Sequence, residues 1–324
     1  MDIAEIAAPV KEYFDRFESE FIDKFGSSVP LIDQVVRYLS GKRGKRLRPL
    51  FVFLSASLHG DLTPRTMSAA IVVEMFHTAT LVHDDVVDES DLRRGARTVN
   101  DIWGNKISIL IGDLLFSKTL AGIVDLQDND AVGILSAAAE RITEGELLQI
   151  EYSKSPQLQE SDYFDLISKK TAALFNASCQ LGAMTVGRKD ASLEHMAAFG
   201  ENYGVAFQIM DDLLDYVGQE EKLGKPTGSD LREGKITLPL IYALDSAPAA
   251  ARREVLDLLK RGIETDQQVQ AIISFTKANG GVAYAQKHVK EYTEKALAAL
   301  APYPDSRGKR SLINLVHHSV SRQN

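Results

Sequence analysis

Phe14, Phe17, Phe21 and Phe25 recur at intervals of three and four, a spacing that predicts one apolar stripe along an opening helix. Apolar positions also support helices over 67–90, 106–127, 130–152, 161–186, 192–216, 236–246, 249–261, 266–278 and 281–300. Breakers separate them: GDLTP at 60–64, SKSPQ at 153–157, GRKD at 187–190, GKPTGSD at 224–230 and YPDSRG at 303–308. The last segment, 305–324, reads as a final helix with paired basic residues and an apolar middle. No stretch alternates apolar and polar residues between hairpin signals, and no linker divides the chain. The pattern therefore predicts a single all-α domain over 1–324, with roughly a dozen helices. Two segments, SAAIVVEMFHTATLVH and KISILIGDLLFSKTLAGIV, are apolar around much of their circumference, which marks helices buried in a large core or an interface.

The ends of two apolar helices break this pattern. LVHDDVVDESDLRRG at 81–95 sets Asp84, Asp85, Asp88, Glu89 and Asp91 close together, and FQIMDDLLDYVG at 207–218 repeats the spacing with Asp211, Asp212 and Asp215. At about 100° per residue, Asp84 and Asp88 lie on one side of their helix, one turn apart, with Asp85 beside them. Crowded carboxylates raise one another's pKa, and a hard divalent cation relieves that cost. Magnesium takes oxygen ligands from one or two carboxylates and completes its shell with water and substrate phosphates. A lone acidic helix end is readily explained as a solvated surface. Two copies, each emerging from an apolar helix, point to metal and polyphosphate.

Composition narrows the reading. The chain has 324 residues, 44% hydrophobic and 25% charged, with a formal net charge of −8 that disfavours a nucleic-acid partner. Its one cysteine, Cys179, leaves no intrachain disulfide framework. The N-terminus lacks the basic and apolar regions of a signal peptide, and no apolar run approaches the ~20 residues of a membrane span. Together these predict a soluble, cytoplasmic protein without stable membrane insertion. Against the acidic background, GKRGKRLRP at 41–49 and Arg93–Arg94 supply basic clusters suited to phosphate, Arg as a fork and Lys as a point charge. His77 stands seven residues before Asp84, on the same face two turns down, and from position alone reads as a core histidine.

The strings GKRLRP, HTATLVHDDVVDESDLRRG, IGDLLFSKTL, EGELLQI, SKKTAALF, FQIMDDLLDYVG and LGKPTGSDLREGKITLPLI, in this order over nearly the whole chain, resemble the trans-isoprenyl diphosphate synthase (polyprenyl synthetase) family, and its long-chain bacterial members in particular. The resemblance implies one helical bundle around a deep central cavity, the isoprenoid synthase fold, usually as a homodimer. It implies successive head-to-tail addition of isopentenyl diphosphate to an allylic diphosphate such as the geranyl or farnesyl compound. Asp84, Asp85 and Asp88 would hold magnesium on the allylic diphosphate, and Asp211, Asp212 and Asp215 would complete a cluster of roughly three ions, with manganese a possible substitute. Arg93, Lys170, Lys225 and Lys235 match residues that bind the same group. Lys45, Arg48, His77 and Arg94 match the isopentenyl diphosphate site, so His77 moves from core residue to ligand on resemblance alone. Thr171 and Gln208 match residues that turn oxygen atoms toward the developing cation. The loop 218–235 has the composition and position of a lid.

In this family the residues one turn before the first aspartates set how far the product grows. Here they are Ala79 and Thr80, both small, so the tail is expected to pass them and stop near Phe76, Met75 or Val72, with Phe116, Leu120 and Val124 as further candidates. One isoprene unit is about as long as three residues' rise along a helix, and the expected product has about six to ten units, of the kind used for a quinone side chain. A short-chain farnesyl or geranylgeranyl synthase is the alternative. A non-catalytic partner subunit would have lost one or both aspartate strings, and a terpene cyclase would lack the second string and GKRLRP.

Overall fold

The computed structural model describes residues 2–41, 44–93, 95–153, 158–218 and 227–320. The chain folds into two compact units: Met1–Ala138, Leu174–Gly200 and Ala299–His318 form one, and Ala139–Ala173, Glu201–Ala298 and Ser319–Asn324 the other.

In the first unit the opening stripe forms the helix Lys11–Phe25, which buries Phe17, Phe21 and Phe25 and leaves Phe14 half-buried. Their rings stack in series, Phe17 on Phe21 at 5.6 Å and Phe21 on Phe25 at 5.4 Å, and Phe17 meets Phe53 edge-on. Phe53 belongs to the helix Leu47–Ser57, in which Leu50 to Ala56 are all buried. That helix and Pro30–Gly41 are not among the expected segments, the former because a segment apolar on every side has no periodicity to detect. The helix Pro64–Val87 has proline in its first turn and Thr63 and Thr66 closing its start. It packs along Asn105–Val124 as one of the main contacts of the unit.

The expected helix over 67–90 overruns the observed end. The helix stops at Val87, Asp88 caps it, and Glu89 turns to φ 49°. A helix C-terminus already carries partial negative charge, so continuing it through Asp88, Glu89 and Asp91 would stack like charges. The chain instead makes a two-residue antiparallel ladder, with Leu92 opposite Arg97 and Arg93 opposite Ala96, through a turn at Gly95. The sequence pattern predicts no strand there.

Asn105–Val124 also corrects the expectation on apolar length. Its 20 residues reach a mean hydropathy of 1.8, enough in length and composition for a membrane span, yet only 33% of that window is buried within the protein. Lys106, Asp113 and Lys118 interrupt it, and Lys118 Nζ donates to the carbonyls of Lys24 and Gly26.

The second unit is helical throughout its described elements. The expected single helix over 161–186 is interrupted: Glu160–Ile167 passes into a π turn at Ser168–Ala172 and then into Ala173–Thr185, which from Leu174 on belongs to the first unit. Ser192–Val217, Leu238–Ser246, Ala249–Arg261, Asp266–Ala278 and Gly281–Ala299 follow the expected segments closely. One core gathers Tyr163, Ile167, Ile209, Leu213 and Leu238, and a second gathers Tyr216, Leu231, Leu240, Val269 and Ile272. The final segment is the helix Arg307–Val320, as expected, and it belongs to the first unit as far as His318.

Candidate active site

In the first unit, Asp84 and Asp85 occupy the last turn of Pro64–Val87 and Asp88 its cap. Asp84 is half-buried, Asp85 is buried and Asp88 is exposed. Arg93 Nε donates to Asp85 Oδ1 at 2.6 Å, the small ladder having carried Arg93 back over the helix end. Burial pushes the Asp85 carboxyl up, against the pull of the Arg93 charge. Arg93, expected on a diphosphate, is thus held next to the first aspartates by one of them. Arg94 lies outside the described residues.

The basic string divides by role. Arg46 does not join the anion cluster: its guanidinium binds Glu18 at 3.0 Å and Glu74 at 2.6 Å, and stacks over the Phe21 ring at 5.2 Å. Its backbone is left-handed, φ 48°, at the start of Leu47–Ser57. Arg48 lies against Phe175, 4.6 Å from the ring centre, and its Nη1 is 2.9 Å from His77 Nε2. The structure therefore brings Arg48 and His77 together, with Lys45 exposed nearby in the chain. Lys42 and Arg43 lie outside the described residues.

Along the same helix, Ala79 is fully buried and Thr80 half-buried, and Phe76 meets the Phe116 ring edge-on at 5.3 Å. Phe76 and Phe116 thus form an aromatic pair, Phe76 standing three residues before Ala79 on the same helix. Leu120 and Val124 do not belong with them. They are 62% and 61% exposed, on the outer face of Asn105–Val124, which removes them as candidates for the product floor.

The second unit holds a cavity of about 230 Å³. That is below the ~300–1,000 Å³ of most ligand pockets and matches a polar head group better than a long tail. Asp211, Asp212, Asp230, Lys170 and Lys235 line its polar side, with Thr171 and Gln208, while Leu158, Leu166, Ile167 and Ile236 line the apolar remainder. Lys170 and Thr171 reach it because two glycines let the π turn approach its neighbours: a Cβ at Gly145 would sit 2.8 Å from Lys170 N, and one at Gly204 2.4 Å from Ala172 Cα. Lys170 Nζ donates to Glu146 at 2.6 Å and Gln149 at 3.0 Å, and Lys235 Nζ pairs with Glu233 at 2.6 Å. Lys225 lies outside the described residues, as does the middle of the expected lid, 219–226.

A relay of hydrogen bonds runs along the wall. Thr171 Oγ1 donates to Gln208 Oε1 at 2.8 Å, Gln208 Nε2 to Asp212 Oδ1 at 2.7 Å, and Tyr163 Oη to Asp212 Oδ2 at 2.6 Å. Asp212 is pushed up by burial first and by the Asp230 charge second, while Tyr163 and Gln208 hold it down. Tyr163 and Asp230 are not among the residues that sequence reasoning singles out. Tyr163 stands two turns before Lys170 on one helical face, which is a usable signal; Asp230 sits in a loop string where spacing carries none.

Asp215 stands apart. It is buried, does not line the cavity, and accepts from Ser229 N at 3.1 Å, Ser229 Oγ at 3.0 Å and Asp230 N at 3.1 Å.

Among the described residues, no three Asp, Glu, His or Cys side chains converge closely enough to hold a metal as they stand. The donor chemistry nonetheless fits a hard cation. The candidate ligands are oxygen only, and both strings lie at helix C-termini, where carboxylates oppose the helix dipole unless positive charge joins them. Asp212, raised by burial and a neighbouring acid, is the kind of group a bound cation deprotonates.

The family model of the polyprenyl synthetases matches residues 29–276. The chain is 36% identical over 321 residues to an all-trans-nonaprenyl-diphosphate synthase (geranyl-diphosphate specific) of Rhodobacter capsulatus, covering 98% of this chain and 97% of that one. It is 35% identical over 301 residues to octaprenyl diphosphate synthase of Escherichia coli, covering 93% of each. Among solved structures, a polyprenyl synthase from Caulobacter crescentus complexed with calcium and isoprenyl diphosphate aligns with TM-score 0.93 at 35% identity, covering 100% of this chain and 98% of that one.

Proposed function

Because this chain belongs to the polyprenyl synthetase family, with the all-α isoprenoid synthase fold, we propose that it is a trans-prenyltransferase that builds a long all-trans polyprenyl diphosphate from isopentenyl diphosphate and an allylic primer. The observation that carries this is the second unit's cavity, whose lining combines Asp211, Asp212, Lys170 and Lys235 with Thr171, Gln208 and aliphatic side chains. A charged head and a hydrocarbon cation need those two surfaces side by side.

The allylic carbon–oxygen bond breaks when negative charge on the leaving diphosphate is neutralised. Magnesium held by either aspartate string, Asp84, Asp85 and Asp88 or Asp211 and Asp212, would supply that Lewis-acid stabilisation. Lys170, Lys235 and Arg93 add positive charge from the protein, and Lys225 is assigned with them from its sequence position. Each of the described three now sits against a carboxylate or amide, so a diphosphate would exchange one acidic partner for another. Arg48, His77 and Lys45, with Arg94, are proposed to hold isopentenyl diphosphate. Thr171 Oγ1 and Gln208 are oriented by their mutual hydrogen bond, and their dipoles stabilise the allylic cation without attacking it. The aliphatic lining keeps water from that cation. The double bond of isopentenyl diphosphate attacks, one proton leaves for the released diphosphate, and the chain is five carbons longer. The Caulobacter polyprenyl synthase is complexed with both a divalent ion and an isoprenyl diphosphate, which supports this pairing of ligands.

The test is direct. Purified protein, magnesium, labelled isopentenyl diphosphate and farnesyl diphosphate should give products of about six to ten units once dephosphorylated, by the unit length above. A product of three or four units would transfer the reading to the short-chain alternative. Bulk at the proposed gate has a matching effect: Ala79→Tyr, and Thr80→Phe at the half-buried neighbour, should shorten the product to about three or four units, since each adds a block about one helical turn below Asp84. Product lengths identical to wild type in both variants, sized on the same plates, would remove Ala79 and Thr80 from length control.

We propose a homodimer and a cytoplasmic setting as well. Ile109, Leu110, Leu120 and Val124 are all exposed on one helix, and such an apolar face in a water-soluble chain calls for a partner. The charges at Lys106, Asp113 and Lys118 favour a second copy over lipid. Leu120→Glu should convert a dimer to a monomer in light scattering; a wild-type protein already monomeric at micromolar concentration would overturn the proposal.

A further inference from the structure

We infer that Asp215, the last acid of the second string, is a positioning residue and not a metal ligand: it clamps the turn that delivers Asp230 and Lys235 to the cavity. This rests on the proposed function only for what the cavity binds. Asp215 is 1% exposed, and both its carboxylate oxygens accept hydrogen bonds from the turn: Oδ1 from Ser229 N and Oγ, and Oδ2 from Asp230 N. Its own carbonyl accepts from Gly228 N at 3.0 Å.

The single-turn helix Ser229–Arg232 has Gly228 before it and no side chain of its own to cap it, so a residue from the Ser192–Val217 helix does the capping. Gly228 is required there, at φ 77° with a would-be Cβ 2.1 Å from Val269. The turn is then passed on. Lys235 N donates to Asp230 O at 2.8 Å, and one residue after Asp215, Tyr216 accepts from Thr237 Oγ1 at 3.2 Å. Two adjacent residues of one helix therefore grip both ends of 229–237, the segment that presents Asp230, Lys235 and Thr237 to the cavity. At least three of the four acceptor positions of the Asp215 carboxylate are engaged, and a metal there would have to strip part-buried donors of the turn of their partner.

Hydrogen exchange on the metal-free protein separates the two roles. Asp215→Asn and Ser229→Ala should each speed amide exchange over 228–236 by about tenfold, the size of one lost bond to a charged acceptor. In steady state both should raise KM for the allylic diphosphate several-fold, with the magnesium half-saturation unchanged, and Ser229→Thr should restore wild-type values of each. The inference is overturned if Asp215→Asn leaves metal-free exchange unchanged and raises the magnesium half-saturation as Asp211→Asn does, or if Ser229→Ala behaves as wild type in both measurements. Absence of any prenyl transfer by the wild-type protein would instead sink the functional reading, and the exchange result would still decide what Asp215 does.

Discussion

Asp211→Asn should lower kcat for isopentenyl transfer by about 10²–10³-fold or more while leaving the melting temperature close to wild type. Asp211 is half-buried and lines the cavity at the end of an apolar helix, so the carboxamide keeps the shape and removes only the charge. A neutral carboxamide oxygen holds a divalent cation less tightly than a carboxylate does, and the leaving diphosphate then departs with more of its charge uncompensated. Excess magnesium should recover part of the loss, which distinguishes a weakened ligand from a damaged fold. Asp212 is a poorer site for the same experiment, because Tyr163 and Gln208 both donate to it and its replacement would disturb the Thr171 relay as well. Steady-state rates at several magnesium concentrations decide the matter. A kcat within tenfold of wild type at saturating metal would mean that Asp211 does not take part in ionisation.

The helices and the two acidic strings are readable because each leaves a local mark. A 3.6-residue stripe marks Lys11–Phe25, and carboxylates at the end of an apolar run mark Asp84 and Asp211 whatever the tertiary structure does. What stays hidden depends on contacts between distant residues. Spacing cannot show that Asp215 caps a turn fourteen residues on while Asp211, four before it, lines a cavity. Nor can composition separate Arg46 from Lys45 and Arg48, since only the arrival of Glu18 and Glu74 makes one of three neighbouring cations structural. The Leu47–Ser57 helix escapes for the opposite reason: burial on all sides erases the polar face that makes a helix visible. Family resemblance alone gives the ligand reading of His77, which lies 2.9 Å from Arg48, yet it gives no hint of the Tyr163 bond to Asp212.

Arg46→Ala should cost about 3–5 kcal/mol of stability, a fall in melting temperature on the order of 10 °C. The side chain is 13% exposed and its partners Glu74 and Glu18 are 7% and 17% exposed, so truncation leaves two carboxylates in a poorly solvated place. Burial alone would lower the Arg46 pKa, and the two glutamates more than offset it, the net shift being upward. The loss therefore comes mainly from the glutamates left behind, which gives a specific rescue. Adding Glu74→Gln to Arg46→Ala should return part of the stability, whereas Glu74→Gln alone should destabilise less than Arg46→Ala, because Arg46 retains Glu18. Function should follow by a separate route. Arg46 fixes a left-handed residue between Lys45 and Arg48, so its loss frees the segment proposed to hold isopentenyl diphosphate. The expected kinetic result is a larger rise in KM for isopentenyl diphosphate than for the allylic substrate, measured well below the variant's melting temperature. Equal effects on both KM values, or a melting temperature within a degree or two of wild type, would show that the Glu18–Arg46–Glu74 cluster neither stabilises the unit nor sets that segment.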